Sequence, residues 1–393
     1  MQINRPAGFK QVDPACYAFC CLRLASLAGF GAGRNRLAMT GQRLEPTSAI
    51  PLDPPGRSAV ARRVVSISAV FFAWCVVHVL LPVALLVAVV VDAASRRAGW
   101  LFTRFTVHLV WLLWCEIYGI LASFLFWCAG FLPGVTGKVY RDWHLRLQLS
   151  WAAAHWKGIE WIHGTRIMLE APEEMGSGPM ILFIRHASLA DTILPCIVIQ
   201  RPTGLRLRYV MKRELLWEPC LDIVGHRLPN CFIDRYSGDS REEIRRVTRM
   251  LDALEPNEGV LIYPEGTRPT PARRARARER LLEKEPDLAR RTEGLRNILP
   301  PRPGGPLALL EKNPGLDVVF CAHEGLDDVA GIPDIVSGAL WKRVVRIRAW
   351  RVPFEELPVG KADRLDWLLE NWQRVDDWVG ETRERRLEGI ALP

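Results

Sequence analysis

The stretch "PMILFIRHASLAD", residues 179–191, sets the fold class, because an apolar run leads directly into Arg185 and His186. Asp191 follows five positions after the histidine. A short apolar run predicts a buried strand, and we expect a helix to begin at about Ser188. Arg185 and His186 then lie at the carboxyl end of a strand, which is where α/β proteins place their ligands. The stretch therefore predicts a candidate site at the edge of a sheet.

Similar apolar runs continue beyond residue 164 and alternate with charged helical stretches such as 239–254. Apolar strands between amphipathic helices favour a mostly parallel sheet that is covered on both faces. We therefore expect an α/β domain over residues 136–393, with a mostly parallel central sheet flanked by helices. Its motif core is expected at 155–355 and a C-terminal helix at 362–389. The apolar runs are "TRIMLEA", "PMILFI", "LRYVMK", "NCFID", "GVLIYP", "DVVFCA" and "VVRIRAWRV".

Two long apolar segments precede this domain. Residues 64–91 contain no Asp, Glu, Lys or Arg, and residues 105–132 contain a single charge, Glu116. A helix rises about 1.5 Å per residue, so each segment exceeds the roughly 30 Å hydrocarbon core of a bilayer. Residues 61–135 therefore predict a membrane-embedded helical hairpin. Pro82 and Glu116 make a shallow, re-entrant hairpin as reasonable as two full spans.

The N-terminal residues, the net charge and the cysteines limit the classes of protein to which the chain can belong. Residues 1–60 have no sustained periodicity and end in a Pro-rich stretch, which predicts a disordered leader and linker; Met39 is an alternative start. The net charge of +9 suits an anionic membrane surface or anionic substrates. No nucleic-acid-binding motif is present, and the ten cysteines match no common zinc spacing. Positive charges before, between and after the two apolar segments are nearly balanced, so they do not fix the orientation. We expect a membrane protein whose α/β domain faces the cytoplasm, with no nucleic-acid partner.

His186 and Asp191 form the candidate catalytic pair. If His186 lies in the turn and Asp191 in the first helical turns, the carboxylate can accept a hydrogen bond from one ring nitrogen. The other ring nitrogen is then free to take a proton as a general base. The spacing alone is a weak signal, since an ordinary structural histidine fits it equally well.

Further sequence segments support the interpretation of His186 and Asp191 as part of a site. "IYPEGTR", residues 262–268, ends a strand and supplies Arg268, whose forked donors suit a phosphate. Lys212 and Arg235 bracket the segment between the two blocks and end other β-prone runs.

The blocks "HASLAD", "FIDR" and "YPEGTR", in this order and at these separations, resemble those of the glycerolipid acyltransferase family, which includes the lysophosphatidic acid acyltransferases. "ILPPRPGG", residues 298–305, followed by "LDVVFCAHEG" is similar to the branch that contains the lysocardiolipin acyltransferases. The resemblance covers about residues 155–355.

The resemblance implies transfer of an acyl group from acyl-CoA or acyl carrier protein to the free hydroxyl of a lysophospholipid. It implies His186 as the base and Asp191 as its orienting partner. For acceptor binding it implies a site formed by Arg235, Glu265, Gly266, Thr267 and Arg268, while Lys212 fits a site or a surface position. No metal, cofactor or covalent enzyme intermediate is implied.

The sequence is compatible with more than one acceptor substrate. We favour 1-acylglycerol-3-phosphate, which gives phosphatidic acid. A lysocardiolipin-type acceptor, glycerol 3-phosphate, or an inactive lipid-binding protein are the alternatives. Two departures from the family pattern bear on this choice. Arg185 stands where Asn is common in the family, and we interpret it as either a phosphate contact or a surface charge. The second departure is "FCAHEG", which stands where many members have a Pro-Val pair. We interpret His323 in this block as a structural histidine.

Overall fold

The computed structural model describes residues 56, 58–96, 99–176, 178–188, 190–234, 240–329 and 331–388. Most of the predicted leader, 1–60, and the candidate site residue Arg235 lie outside these ranges. Within the described ranges seven strands form one sheet, in the order β1-β7-β6-β2-β5-β3-β4. The strands are β1 (Arg166–Glu170), β2 (Met180–Ile184), β3 (Arg206–Lys212), β4 (Cys231–Ile233), β5 (Glu258–Ile262), β6 (Asp317–Glu324) and β7 (Val344–Val352).

Every neighbouring pair of strands is parallel except β6 and β7, so the prediction of a mostly parallel sheet is confirmed. Strand β2 lies in the middle, and all five of its residues are buried. Side chains alternate along a strand, and both faces of β2 meet apolar partners. Met180, Leu182 and Ile184 join one core cluster, whereas Ile181 and Phe183 join the other. This two-sided burial explains why β2 is an uninterrupted apolar run.

Helices cover both faces of the sheet. The helices are α1 (Ala59–Ser95), α2 (Leu101–Ala129), α3 (Gly137–His163), α4 (Pro219–Gly225), α5 (Ser240–Thr248), α6 (Pro271–Lys284), α7 (Pro286–Arg291), α8 (Gly304–Glu311), α9 (Ile332–Val336) and α10 (Lys361–Leu387). Helix α3 packs on one face through Trp156, and α10 packs on the other through Trp372; both side chains are fully buried. A π-helical turn, Cys196–Gln200, also covers the first face and continues into Arg201–Thr203.

The predicted hairpin consists of α1 and α2, which are long and apolar enough to cross a membrane. The turn between them is fixed by Asp92, whose carboxylate accepts the backbone N–H groups of Phe102 and Thr103 at 3.2 and 2.8 Å. Most of α1 is exposed, including Phe72 and Val79. In contrast, one face of α2 is buried against the domain, and Glu116 is turned into the protein rather than toward a lipid phase.

The hairpin is attached to the domain by a buried ion cluster. Asp222 of α4 is fully buried, and its carboxylate accepts hydrogen bonds from Arg62 at 3.0 Å and from Arg63 at 3.1 Å. His226 approaches the same carboxylate at 2.9 Å. Burial opposes ionisation of Asp222, but His226 and the two arginines lower its pKa below the ordinary value. These contacts join the first turn of α1 to the segment that follows β3.

We expect Asp222→Ala to lower the free energy of unfolding by about 2–4 kcal/mol, because two part-buried arginines lose their partner. Thermal unfolding of the purified chain in detergent measures this change. Asp366→Ala is the control, since its pair with Arg291 is largely exposed and is worth about 1 kcal/mol or less. Equal losses for the two variants would contradict the assigned role of Asp222.

Candidate active site

The sheet brings the predicted site residues to one edge. Strands β2, β5 and β3 are adjacent and parallel, so their carboxyl ends lie together. Arg185 and His186 follow β2, the Tyr263–Arg268 segment follows β5, and Lys212 is the last residue of β3. Strand β4 ends on the same edge, because Ile233 pairs with Lys212. Arg235 follows two residues later but lies outside the described residues.

The structure places His186 and Asp191 in direct contact. His186 Nδ1 lies 2.9 Å from Asp191 Oδ1. The other carboxylate oxygen accepts the backbone N–H groups of Ala187 and Ser188 at 2.5 and 2.7 Å, and Ser188 Oγ accepts the Asp191 N–H at 3.3 Å. The helix that we expect from Ser188 is not continuous, because the backbone forms a 3₁₀ turn over Ala190–Thr192. This tight turn is what lets two residues five apart meet.

The side chains of His186 and Asp191 differ in their exposure to solvent. The Asp191 side chain is fully buried, whereas 10% of the His186 side chain is exposed. Because Asp191 engages Nδ1, the imidazole is held with Nε2 as the nitrogen that can exchange a proton with a bound molecule. Burial opposes ionisation of Asp191, but His186 and His323 together with the Ser188 N–H lower its pKa below the ordinary value. Asp191 is therefore an ionised orienting group.

His323 lies directly behind the pair. Its Nε2 is 3.0 Å from the Arg185 carbonyl oxygen, to which it donates, and 3.5 Å from Asp191 Oδ2. The residue is fully buried, and burial lowers its pKa from the ordinary value. His323 therefore supports the turn from beneath, which agrees with the structural role that the sequence indicates.

Arg185 is fully buried, so it is not the surface charge that the sequence allowed, and its burial disfavours a contact with an acceptor phosphate. Its guanidinium forms an ion pair with Asp327 and donates to the His323 carbonyl oxygen at 2.5 Å. Arg383 of α10 donates to the same Asp327 carboxylate at 2.8 Å. The arginine thus ties the loop that carries His186 to the C-terminal helix.

Glu265 connects two loops rather than pointing outward. Its carboxylate accepts the backbone N–H of His186 at 2.9 Å and that of Leu299 at 3.2 Å. Gly266 follows in the left-handed region, at φ +69°, where glycine is favoured, and its N–H donates to the Tyr263 carbonyl at 2.9 Å. Burial raises the pKa of Glu265 to about 8, although Arg185 acts in the opposite direction. Glu265 and Gly266 thus shape the loop.

Thr267, Arg268 and Lys212 are partly exposed and lie at the accessible side of the edge. Burial, followed by repulsion from Arg273, lowers the pKa of Arg268 from its ordinary value, while Asp191 acts in the opposite direction. The Arg268 guanidinium therefore lies within electrostatic reach of the Asp191 carboxylate. Lys212 is farther away, since β5 separates its strand from β2.

Tyr263 contributes to the site, and our sequence analysis does not single it out. Its ring centroid is 4.8 Å from that of His186, and its hydroxyl donates to the Asp191 backbone carbonyl at 3.4 Å. Its position directly before Pro264 and Glu265 in the "IYPEGTR" block is the signal that could have identified it.

The residues at this edge of the sheet lie in a segment that matches a known protein family. Residues 166–302, which hold β1 to β5 and the loops described above, match the family model described as Acyltransferase. The match agrees with the acyltransferase resemblance of the sequence blocks, and it assigns an acyltransferase domain to residues 166–302.

Among solved structures, the chain is similar to the crystal structure of the 1-acyl-sn-glycerophosphate acyltransferase PlsC from Thermotoga maritima. The TM-score is 0.45 and the sequence identity 15%, over 71% of this chain and 98% of that one. No curated protein sequence matches the chain significantly.

The raised pKa of Glu265 predicts a pH-dependent stability. A carboxyl whose pKa rises on folding loses stability as the pH rises from its ordinary value of 4.5 to about 8. We expect Glu265→Gln to remove this slope, so that the variant gains about 2–4 kcal/mol relative to the wild type across that range. Unfolding midpoints measured at several pH values test this. Parallel curves for the two proteins would contradict it.

Proposed function

We propose that the chain transfers an acyl group from acyl-CoA or acyl carrier protein to the free hydroxyl of a lysophospholipid. The acceptor that we favour is 1-acylglycerol-3-phosphate, which gives phosphatidic acid. The single observation that carries the proposal is the 2.9 Å contact of His186 with a buried Asp191 at the edge of an acyltransferase domain. A lipid-binding protein has no need of an oriented base with one accessible nitrogen.

In the proposed reaction, His186 Nε2 takes the proton of the acceptor hydroxyl while the oxygen attacks the thioester carbonyl carbon. Asp191 holds the imidazole orientation and stabilises the imidazolium that forms. The tetrahedral intermediate then collapses, the carbon–sulfur bond breaks, and the imidazolium returns its proton to the leaving thiolate. Histidine thus begins and ends in the neutral form, and the reaction needs no metal or cofactor.

Acceptor binding is assigned in this proposal to the exposed side of the edge. Arg268, Thr267 and Lys212 offer donors there, and Arg235 is retained as a candidate on the strength of its sequence block. Because Glu265 and Gly266 are buried in the loop, we propose that they act by shaping it. Lysocardiolipin-type acceptors and glycerol 3-phosphate present a phosphate to the same donors and are the alternative substrates.

We further propose that the hairpin lies in one leaflet of a membrane rather than crossing it. Arg104 near the start of α2 donates to the Ile162 carbonyl oxygen, just before β1. Near the other end of α2, Arg227 donates to the Ser123 carbonyl oxygen at 3.0 Å. A helix fastened to the domain at both ends lies beside it, and the exposed apolar surface of α1 is left to meet lipid. A catalytic domain facing the cytoplasm remains part of the proposal.

We expect His186→Ala to reduce turnover by at least about 100-fold, because no other group takes the hydroxyl proton. The assay supplies acyl-CoA and a panel of lysophospholipids to the chain purified in detergent. His144→Ala is the matched control, since it removes a buried histidine from α3 and should retain activity. Turnover above about a tenth of wild type in folded His186→Ala would exclude a general-base role of the usual size.

We expect Arg268→Ala to raise the acceptor KM by about 10- to 100-fold and to leave the donor KM nearly unchanged, because a charge-assisted contact to the phosphate is lost. Arg273→Ala removes a neighbouring exposed arginine and serves as the control. Equal increases of both KM values in Arg268→Ala would indicate a distorted site and would count against phosphate binding by Arg268.

A further inference from the structure

A second cluster of reactive side chains lies between the hairpin and the domain and uses none of the residues assigned to the candidate active site. It comprises Glu116 of α2, His155 of α3, and Glu218 and Cys220 at the start of α4. Oxygen atoms of the two glutamates and the Cys220 sulfur all lie within 4.8 Å of one another. His155 Nε2 lies 3.2 Å from Glu116 Oε1. Three mutually close ligand-type side chains thus come from α2 and the start of α4, and His155 of α3 adjoins them at Glu116.

Two donor atoms of the cluster are buried and lack hydrogen-bond partners. Glu116 Oε2 is one, and 9% of that side chain is exposed. His155 Nε2 is the other, since its contact with Glu116 lacks hydrogen-bond geometry. A buried polar atom without a partner costs about 1–3 kcal/mol, so both atoms call for an additional group in the cluster.

The charges of the cluster favour an additional group as well. The Glu116 and Glu218 carboxylates lie within 4.8 Å of each other, and Glu116 is buried. Two carboxylates in such contact require either a shared proton or a cation between them. The His155 imidazole next to Glu116 offers a ring nitrogen, which is a common metal ligand.

The donors are also fixed in position. The Glu218 carboxylate accepts the backbone N–H groups of Cys220 and Leu221 at 2.7 and 2.5 Å, which caps α4. Cys220 Sγ lies 3.5 Å from the Glu116 carbonyl oxygen. The two backbone N–H groups therefore hold the Glu218 carboxylate in a fixed orientation, as hydrogen bonds to the ligands of a metal ion do.

We propose that Glu116, His155, Glu218 and Cys220 bind one zinc ion, which holds hairpin helix α2 on the acyltransferase domain. A thiolate, an imidazole and two carboxylates form a four-ligand set typical of Zn²⁺, whereas Mg²⁺ and Ca²⁺ favour oxygen ligands alone. Binding releases the proton shared by the carboxyls and the thiol proton. With four protein ligands the ion has a structural role, so the proposed acyl transfer does not pass through it.

The test measures metal in the full chain, purified in detergent with zinc in the growth medium and without chelators. We expect about one zinc per chain by mass spectrometry of the elements, and about a tenth of that or less in Cys220→Ser and Glu218→Gln. Cys231→Ser is the matched control, because it removes an equally buried thiol from β4 and should retain the zinc.

Cobalt provides a second readout that does not depend on activity. After removal of zinc and addition of Co²⁺, the wild type and Cys231→Ser should show thiolate-to-cobalt charge-transfer absorption, which Cys220→Ser should lack. Size-exclusion elution and circular dichroism establish that each variant is folded. If a variant unfolds, the zinc content and the cobalt spectrum of the wild type alone decide whether the proposal holds.

A wild-type chain without zinc, which also fails to bind zinc on titration and gives no cobalt absorption, would overturn the proposal. The two carboxyls would then share a proton. The outcome is independent of the proposed acyl transfer, which is assayed separately.

Discussion

The buried Asp191 carboxylate is the interaction on which the site depends. An unpaired carboxylate in a protein interior costs several kcal/mol, so the turn after β2 is stable only where that charge is satisfied. Two backbone N–H groups and the His186 ring satisfy it, and His323 lies 3.5 Å away on the buried side. The same contacts that make the turn fold therefore also hold His186 in place, so stability and site geometry have a common origin.

Two further networks fix this turn to distant parts of the chain. Arg185 reaches Asp327, which Arg383 of the C-terminal helix also binds. On the opposite side Glu265 links the His186 N–H to Leu299. Each network neutralises a buried charged or polar group through residues far away in sequence. The C-terminal helix and the Ile298–Gly305 block therefore belong to the support of the site, although neither contributes a group to the proposed chemistry.

Local sequence patterns were sufficient for the sheet, the hairpin and the candidate pair. Apolar runs such as that of β2 report two-sided burial directly, and the His186–Asp191 spacing lies within one turn. Arg185 shows where such patterns fail, because its environment is set by Asp327, 142 residues later. The Glu116, His155, Glu218 and Cys220 cluster has no local spacing either, since its members come from three helices. Long-range pairing of buried polar groups is not visible in hydrophobic periodicity.

Ion pairs and hydrogen bonds also join the hairpin to the domain that carries the candidate site. Arg62 and Arg63 of α1 bind Asp222, which lies in the segment after the carboxyl end of β3. The two ends of α2 are held at the segments next to β1 and α4. Strands β2, β3 and β5 end at this edge, so the first turn of α1 is tied to a segment that leaves the same sheet edge as the loop that carries His186.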